Sequence, residues 1–440
     1  MWPAGIVRTG AAAGNPGRPS LALAFMTQSS PLELHIPPSN VVGDPALEAR
    51  WLERNVVESL PKGGLETRLK ESADSKTPLR VKLGIDPTAP DIHLGFTVVL
   101  GKLREFQELG HTVVLIIGDW TARVGDPSGR SATRPVLEPS QIEENAATFA
   151  QQALKVLRED RLEVRRNGEW LDMPLDELFG ILRTVTVAQV TERDDISNRL
   201  NEGTPVSVLE LLYPVLQAWD SVAIESDVEL GGTDQHFNLL LGRDVQRAFG
   251  KKEQIAMELP ILVGTDGSRK MSKSIGNYIG VTEPASEIFG KTMSIPDEAL
   301  EEWFRALLDT DVPRDLGPRD AKRLLARTLC DRFQGAGSGE QAQLEFDQRF
   351  IAHELPTDAE EFRFTPDSEG QVHCPALISE AYGISRSEAR RNLESGAVRL
   401  DGEPMTEIDV SAADLDGRIL MRGKKRVARL LKMGDPAQTA

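Results

Sequence analysis

Residues 270–274 read Lys-Met-Ser-Lys-Ser, two ammonium groups on a polar segment flanked by Gly264, Gly267 and Gly276. A loop of this kind can lower positive charge onto a polyphosphate. A lone Lys-x-x-Lys is an ordinary solvated turn, so the second element, far upstream, matters. Asp86-Pro87-Thr88-Ala89-Pro90-Asp91-Ile92-His93-Leu94-Gly95-Phe96 follows a β-prone run at 79–85. It precedes a stretch in which Val98, Val99, Leu103, Phe106 and Leu109 recur at helical spacing. His93 and Gly95 therefore fall at a strand-to-helix junction. Free backbone N–H groups and the positive end of the helix dipole favour anions there, and glycine admits close approach. On its own, His93 is equally well explained as a residue packing at the start of the helix.

Tyr213, Gln217 and Asp220 stand at i, i+4 and i+7, on one face of a helix whose other residues, Leu211, Leu212, Val215, Leu216, Ala218 and Trp219, are apolar. A buried polar stripe is costly unless a ligand or an internal network satisfies it. Pro214 suggests that the helix starts there, with Tyr213 at its cap. Asp126 opens Asp126-Pro127-Ser128-Gly129, a good type I turn. Asp234 and Gln235 follow Gly231-Gly232, where backbone can be approached closely; Asp234 also suits a helix N-cap.

Positioning these groups requires a scaffold. Strand-like and helix-like patterns alternate over 80–249: strands at 79–85 and 112–118, helices at 96–109 and 139–157. That predicts an α/β domain with a Rossmann-like parallel sheet binding ligands beyond the carboxyl ends of its strands. His93 and residues 119–126 then share one rim. Residues 161–207 break the alternation and read as an insertion. Beyond 281 the chain turns helical and charged (287–293, 296–308, 318–333, 340–349), which predicts a separate helical domain over 285–350. The acidic, proline-containing stretch 351–373 reads as a linker, leaving a small C-terminal domain at 374–440.

The formal charge of −17 over 440 residues rules out a uniformly nucleic-acid-coating surface, so any RNA contact must be local. Residues 417–434 offer such a place, with Arg418, Arg422, Lys424, Lys425, Arg426, Arg429 and Lys432 and no acidic residue. Ser385 with Glu388 forms a candidate capping box for a helix carrying Arg386, Arg390 and Arg391. Cys330 and Cys374 are the only cysteines and suit neither a disulfide framework nor a zinc site, which fits a reducing, cytoplasmic setting. No residue set is assigned to a protein-held metal. No apolar run approaches the length of a membrane span. Residues 1–25 contain no Asp or Glu; they fit a transit peptide or a stretch upstream of a start at Met26, and 1–44 is expected to be a disordered extension.

Taken together, His93-Leu94-Gly95-Phe96 and Lys270–Ser274 resemble the two signature motifs of class I aminoacyl-tRNA synthetases. Asp86-Pro87-Thr88, Gly125–Gly129, the run 213–220 and Gly231–Gln235 narrow the resemblance to the bacterial form of tyrosyl-tRNA synthetase, over residues 45–432. It implies ATP with Mg²⁺, L-tyrosine and tRNA(Tyr) as partners, and a homodimer built through 161–207. It further implies an anticodon-reading helical domain and an S4-like RNA-binding domain using Arg386, Arg390, Arg391, Lys424, Lys425 and Arg426. By the same resemblance His93, Gly95, Asp234, Lys270, Lys273 and Ser274 meet ATP, with His93, Lys270 and Lys273 acting on the phosphates. Asp86, Asp126, Tyr213, Gln217, Asp220 and Gln235 hold tyrosine, Asp220 accepting the phenol proton. Two departures stand out: Lys82 replaces a tyrosine, and Phe96 the second histidine. A tryptophan-specific relative and a non-catalytic RNA-binding protein on the same body are the rival readings.

Overall fold

The computed structural model describes residues 35–88, 90–127, 138–350, 359–423 and 426–433. The chain divides between residues 342 and 343 into two compact units. In the first, strands β1 (Glu58–Leu60), β2 (Arg80–Ile85), β3 (Thr112–Ile117), β4 (Leu162–Arg166), β5 (Val228–Gly232) and β6 (Ile255–Leu259) form one sheet in the order β1-β6-β5-β2-β3-β4. Every pair is parallel except β1 on β6. The apolar run of β3 is buried from Val113 to Ile117, as a parallel strand covered on both faces requires. Helix Leu94–Glu108 links β2 to β3, and His236–Ala248 links β5 to β6. Because β2 lies between β3 and β5, the chain winds outward in both directions from it. The crevice beyond the carboxyl ends of β2 and β5 is the switch point where such sheets take ligands.

Several expectations change. Residues 162–166 are not part of the insertion: they form β4, parallel to β3. Their alternating apolar and charged residues are those of a half-exposed edge strand. The insertion proper follows, as short helices Gly168–Leu171, Leu175–Leu182, Val187–Thr191 and Asp194–Asn201. Helix Val208–Ala223 starts well before Pro214, which lies inside it. Ser207 Oγ accepts from Glu210 N at 3.1 Å while Glu210 accepts from Ser207 N at 3.0 Å, a reciprocal cap that overrides proline as a start signal.

Residues 285–342 are not a domain apart but share the first unit with the sheet. Gln334 Nε2 donates to Val281 O (3.1 Å) and Glu283 O (2.7 Å), and Lys155 Nζ donates to Phe333 O at 2.7 Å. Residues 35–44 are ordered into the same unit: His35 is buried, and its Nε2 lies 2.8 Å from an Arg332 amino group. Residues 1–34 lie outside the described residues.

In the second unit, strands β7 (Glu360–Phe364), β8 (Gln371–His373), β9 (Val398–Leu400), β10 (Glu403–Pro404), β11 (Asp409–Ser411), β12 (Ile419–Arg422) and β13 (Arg426–Lys432) make a five-stranded sheet, β10-β9-β12-β13-β7, and a β11-β8 pair. Helices Cys374–Tyr382 and Arg386–Glu394 close its core around Ile378, Ala389, Leu393, Leu420 and Leu430. The expected linker is therefore structured from residue 360 on. β7 pairs in parallel with the basic β13, opposing its acidic residues to Arg429 and its neighbours in a way that composition alone conceals.

Candidate active site

A cavity of about 570 Å³ opens at the switch point, and all twelve residues expected to meet ATP or tyrosine line it. One wall comes from helix Val208–Ala223 and the loops after β2 and β3. Tyr213 and Asp220 are buried there, the spacing having placed them with Gln217 on one face. Tyr213 Oη donates to Asp86 Oδ2 at 3.0 Å, and Thr121 Oγ1 donates to Asp86 Oδ1 at 2.7 Å. Gly118 makes room: a Cβ there would sit 2.2 Å from both Asp86 Oδ1 and Thr121 Oγ1. Burial, then the neighbouring carboxylates of Asp86 and Asp126, raise the Tyr213 phenol well above its ordinary value, so it stays a donor.

Asp220 Oδ1 accepts from Trp170 Nε1 at 2.8 Å. Burial pushes its pKa up to about 7, against the opposing pull of Lys82 and the Trp170 hydrogen bond. Asp126 Oδ2 accepts from Gln235 Nε2 at 2.9 Å. Asn238 Nδ2 donates to both Gln235 Oε1 (2.8 Å) and Gln217 Oε1 (3.0 Å), and Asn238 is itself held by an Arg193 guanidinium N–H at 2.8 Å. Gln217 Nε2 donates to Glu229 Oε1 at 3.2 Å. The stripe is thus a satisfied polar network with a cavity in front of it.

Lys82 is fully buried and does not line the cavity. Its ammonium donates to Gln217 O (2.9 Å) and Ser221 Oγ (2.8 Å) and pairs with Glu229 at 2.9 Å. It ties the polar helix to β5 from behind.

His93, Lys270 and Lys273 line the same cavity. His93 is the N-cap residue of helix Leu94–Glu108, its backbone bridged to Gly280. At Gly95 a Cβ would sit 3.0 Å from the His93 ring, tight enough to push the ring aside. Burial, then Lys273 and Lys270, lower the His93 pKa to about 3. The imidazole is therefore neutral, and its Nδ1 is buried with no partner among the described residues. Phe96, where a second histidine was wanting, stacks near this ring at a centroid distance of 4.6 Å.

Lys270 forms an ion pair with Asp234, and Lys273 donates to Asp91 O. Desolvation lowers Lys273 to about 8. Ser274 Oγ lies 2.9 Å from Ser272 Oγ. Asn277 shapes the loop: Ser272 N donates to its Oδ1 at 2.8 Å, while its Nδ2 donates to Lys270 O (3.2 Å) and Asp266 Oδ2 (3.1 Å). Asp234 does not cap helix His236–Ala248; Gln235 holds that position.

Sequence reasoning did not find Thr121, Trp170, Asn238 or Asn277. Thr121 falls in the rim segment 119–126, and Asn238 and Asn277 each sit three positions from a motif residue, Gln235 and Ser274, signals that could have found them. Trp170 lies in the inserted stretch, and no local pattern marks it. Among the expected RNA-binding residues, Arg386, Arg390 and Arg391 are exposed on one helix and Arg426 is exposed at the start of β13. Lys424 and Lys425, like Ser128 and Gly129, lie outside the described residues. The capping box is half made: Ser385 accepts from Glu388 N at 3.2 Å, but the Glu388 carboxylate goes to Arg422 at 2.5 Å.

A doubly wound, mainly parallel sheet with a neutral histidine and two loop lysines lining a pocket that also holds carboxylates is the architecture of a class I tRNA synthetase, and the model of the family "tRNA synthetases class I (W and Y)" matches residues 74–350. The chain is 46% identical over 400 residues to the tyrosine–tRNA ligase of Moorella thermoacetica, covering 88% of this chain and 96% of that protein. It is 45% identical over 400 residues to that of Thermotoga maritima, covering 88% and 98%. The chain belongs to the tyrosine–tRNA ligase family. Its fold is also that of a C-terminally truncated mitochondrial tyrosyl-tRNA synthetase from Aspergillus nidulans (TM-score 0.58, 21% identity, 75% of this chain and 99% of that one). A tyrosyl-tRNA synthetase from Archaeoglobus fulgidus complexed with L-tyrosine is similar (TM-score 0.56, 23% identity, 68% and 99%).

Proposed function

We propose that the chain joins L-tyrosine to tRNA(Tyr) in two steps within this cavity. A tyrosine carboxylate oxygen attacks the α-phosphorus of ATP and pyrophosphate leaves; the 3′-terminal adenosine hydroxyl of the tRNA then takes the tyrosyl group and AMP leaves. Neither step needs an enzyme nucleophile, so positioning and charge stabilisation carry the rate. The observation that carries the reading is that one cavity is lined both by the carboxylates of Asp86, Asp126 and Asp220 and by His93, Lys270 and Lys273.

Asp220 accepts the phenol hydroxyl; Tyr213, Gln217, Asp126, Asp86 and Gln235 orient the amino acid, with the ammonium near the carboxylates. Phenylalanine would bring no donor to the buried Asp220 carboxylate, which would keep only its protein partners such as Trp170, and this disfavours it. Tryptophan would bring an indole N–H donor of its own, so the preference for tyrosine over the tryptophan-specific reading rests on the relatives, tyrosine–tRNA ligases 45–46% identical over 88% of this chain. His93, neutral and with Nδ1 unpartnered, supplies a dipole to the phosphates without a charge. Lys270 exchanges its Asp234 partner for phosphate oxygens, which frees Asp234 for the ribose hydroxyls. Lys273 exchanges a carbonyl for the leaving pyrophosphate, and a phosphate partner restores the pKa that desolvation has lowered. Gly95 and Ser274 complete the phosphate side. Mg²⁺ enters with ATP, on the substrate's own phosphates.

The exposed Arg386, Arg390, Arg391 and Arg426, with Lys424 and Lys425, give the S4-like second unit its tRNA backbone contacts, and helices in 285–342 reach the anticodon. Leu175, Phe179, Val187 and Val208 expose apolar surface around the insertion, at 52–75% of their full area, and form the homodimer seam. Both cysteines are buried and unpaired, which fits the cytoplasm.

Tyrosine-dependent ATP–pyrophosphate exchange tests the reading. Exchange with tyrosine and not with phenylalanine or tryptophan is the expected result; no exchange with any amino acid would leave the non-catalytic RNA-binding alternative standing.

A further inference from the structure

Glu58 on β1 and Glu258 on β6 are direct partners across the one antiparallel pair of the main sheet. Opposed residues of an antiparallel pair face the same side, where two carboxylates repel. Between them stands His236, the first residue of helix His236–Ala248. Its Nδ1 lies 2.5 Å from Glu258 Oε1 and 3.9 Å from Glu58 Oε2, and one donor atom from each residue falls within 4.8 Å of the others. Among the described residues this is the one group of three or more His, Cys, Asp or Glu side chains so disposed.

A tetrahedral ion with ligands at about 2.0–2.2 Å sets its donor atoms roughly 3.3–3.6 Å apart, and the two observed separations bracket that spacing. The Glu258 side chain is 6% exposed and forms a floor; His236 at 49% and Glu58 at 39% leave a path for an ion from solvent. One imidazole with two carboxylates suits Zn²⁺ and its first-row neighbours better than Ca²⁺ or Mg²⁺, which prefer oxygen alone.

We propose that Glu58, His236 and Glu258 form a binding site for a divalent ion of the Zn²⁺ class, with water completing the shell. None of the three residues lines the catalytic cavity. His236 directly follows Asp234 and Gln235, so a bound ion pins the Thr233–Gln235 turn to the edge of the sheet. The proposal stands on these three residues and not on the identity of the amino acid activated.

Full-length chain stripped with a chelator is titrated with Zn²⁺ by calorimetry, with the visible spectrum of added Co²⁺ as a second probe of the ligand set. One Zn²⁺ per chain is expected, with affinity reduced at least tenfold by His236→Ala and by Glu58→Gln, and with the Co²⁺ bands lost in both. Zn²⁺ should also raise the melting temperature of the parent chain and not of either variant. Glu58 is partly exposed on an edge strand, so a metal-free melting temperature unchanged in Glu58→Gln separates lost binding from lost folding. No stoichiometric binding, or binding that either substitution leaves undiminished, overturns the proposal and reduces the cluster to a His236–Glu258 hydrogen bond.

Discussion

Asp220 joins near-complete burial to a hydrogen bond from Trp170 and a pKa of about 7. Its ionised form is the acceptor a phenol hydroxyl needs, and that form is lost as pH falls through about 7. Tyrosine affinity, read by fluorescence titration, should therefore drop by up to about tenfold per pH unit below that point. Asp220→Asn should flatten the profile and shrink the preference for tyrosine over phenylalanine. The same shift acts on stability in the opposite sense. The folded-state pKa is raised above the ordinary 3.8, so the stability it contributes is full below about pH 4 and is lost as pH rises through 7. The melting temperature of Asp220→Asn relative to the parent should accordingly be higher at pH 8 than at pH 5. In the same cavity, Lys273→Ala should slow adenylate formation by about 10² or more while tyrosine affinity stays nearly intact, because in the proposed reaction this lysine meets only the charge that develops on the phosphates. Undiminished pyrophosphate exchange in that variant would remove Lys273 from the mechanism.

Loops and helices position these groups through residues that touch no substrate. Asn277 ties Ser272 N, Lys270 O and Asp266 into one loop shape. Asn277→Ala should slow adenylate formation about tenfold in single-turnover measurements, without changing tyrosine binding, because misplaced charge costs rate and not affinity for the amino acid. Helix Val208–Ala223 is held from behind by the Lys82–Glu229 pair, both side chains essentially inaccessible. Removing one member leaves the other charge buried and alone, so Lys82→Met should cost about 3 kcal/mol or more in denaturant unfolding of the first unit. The double substitution Lys82→Met/Glu229→Leu should recover much of that loss.

At the scale of the whole molecule, the boundary between units dictates where the chain can be cut. A truncation at residue 374 would strip β7 and β8 of their partners and leave unpaired edges. One ending near 350, after helix Ser338–Phe350, removes both sheets of the second unit whole. The shorter chain should retain tyrosine-dependent pyrophosphate exchange and lose most tRNA charging; equal loss of both would make the second unit part of the catalytic fold. The proposed homodimer seam predicts that Phe179→Glu, placed in the exposed apolar surface of the insertion, is a monomer in sedimentation velocity where the parent is a dimer; a monomeric parent would remove the seam.

By itself the sequence determined what is local: the period of helix Val208–Ala223, the apolar run of β3, the junction holding His93 and Gly95, and the lysine spacing of 270–274. Each depends on residues a few positions apart, so residue type and periodicity suffice to read it. The tertiary structure alone decided which distant groups meet. Trp170 reaches Asp220 from the insertion, Lys82 turns away from the cavity into a pair with Glu229, β7 crosses the supposed linker to join β13, and Glu58 comes to face Glu258. No local pattern encodes such meetings, because they follow from strand order and register, which the packing of the whole core selects.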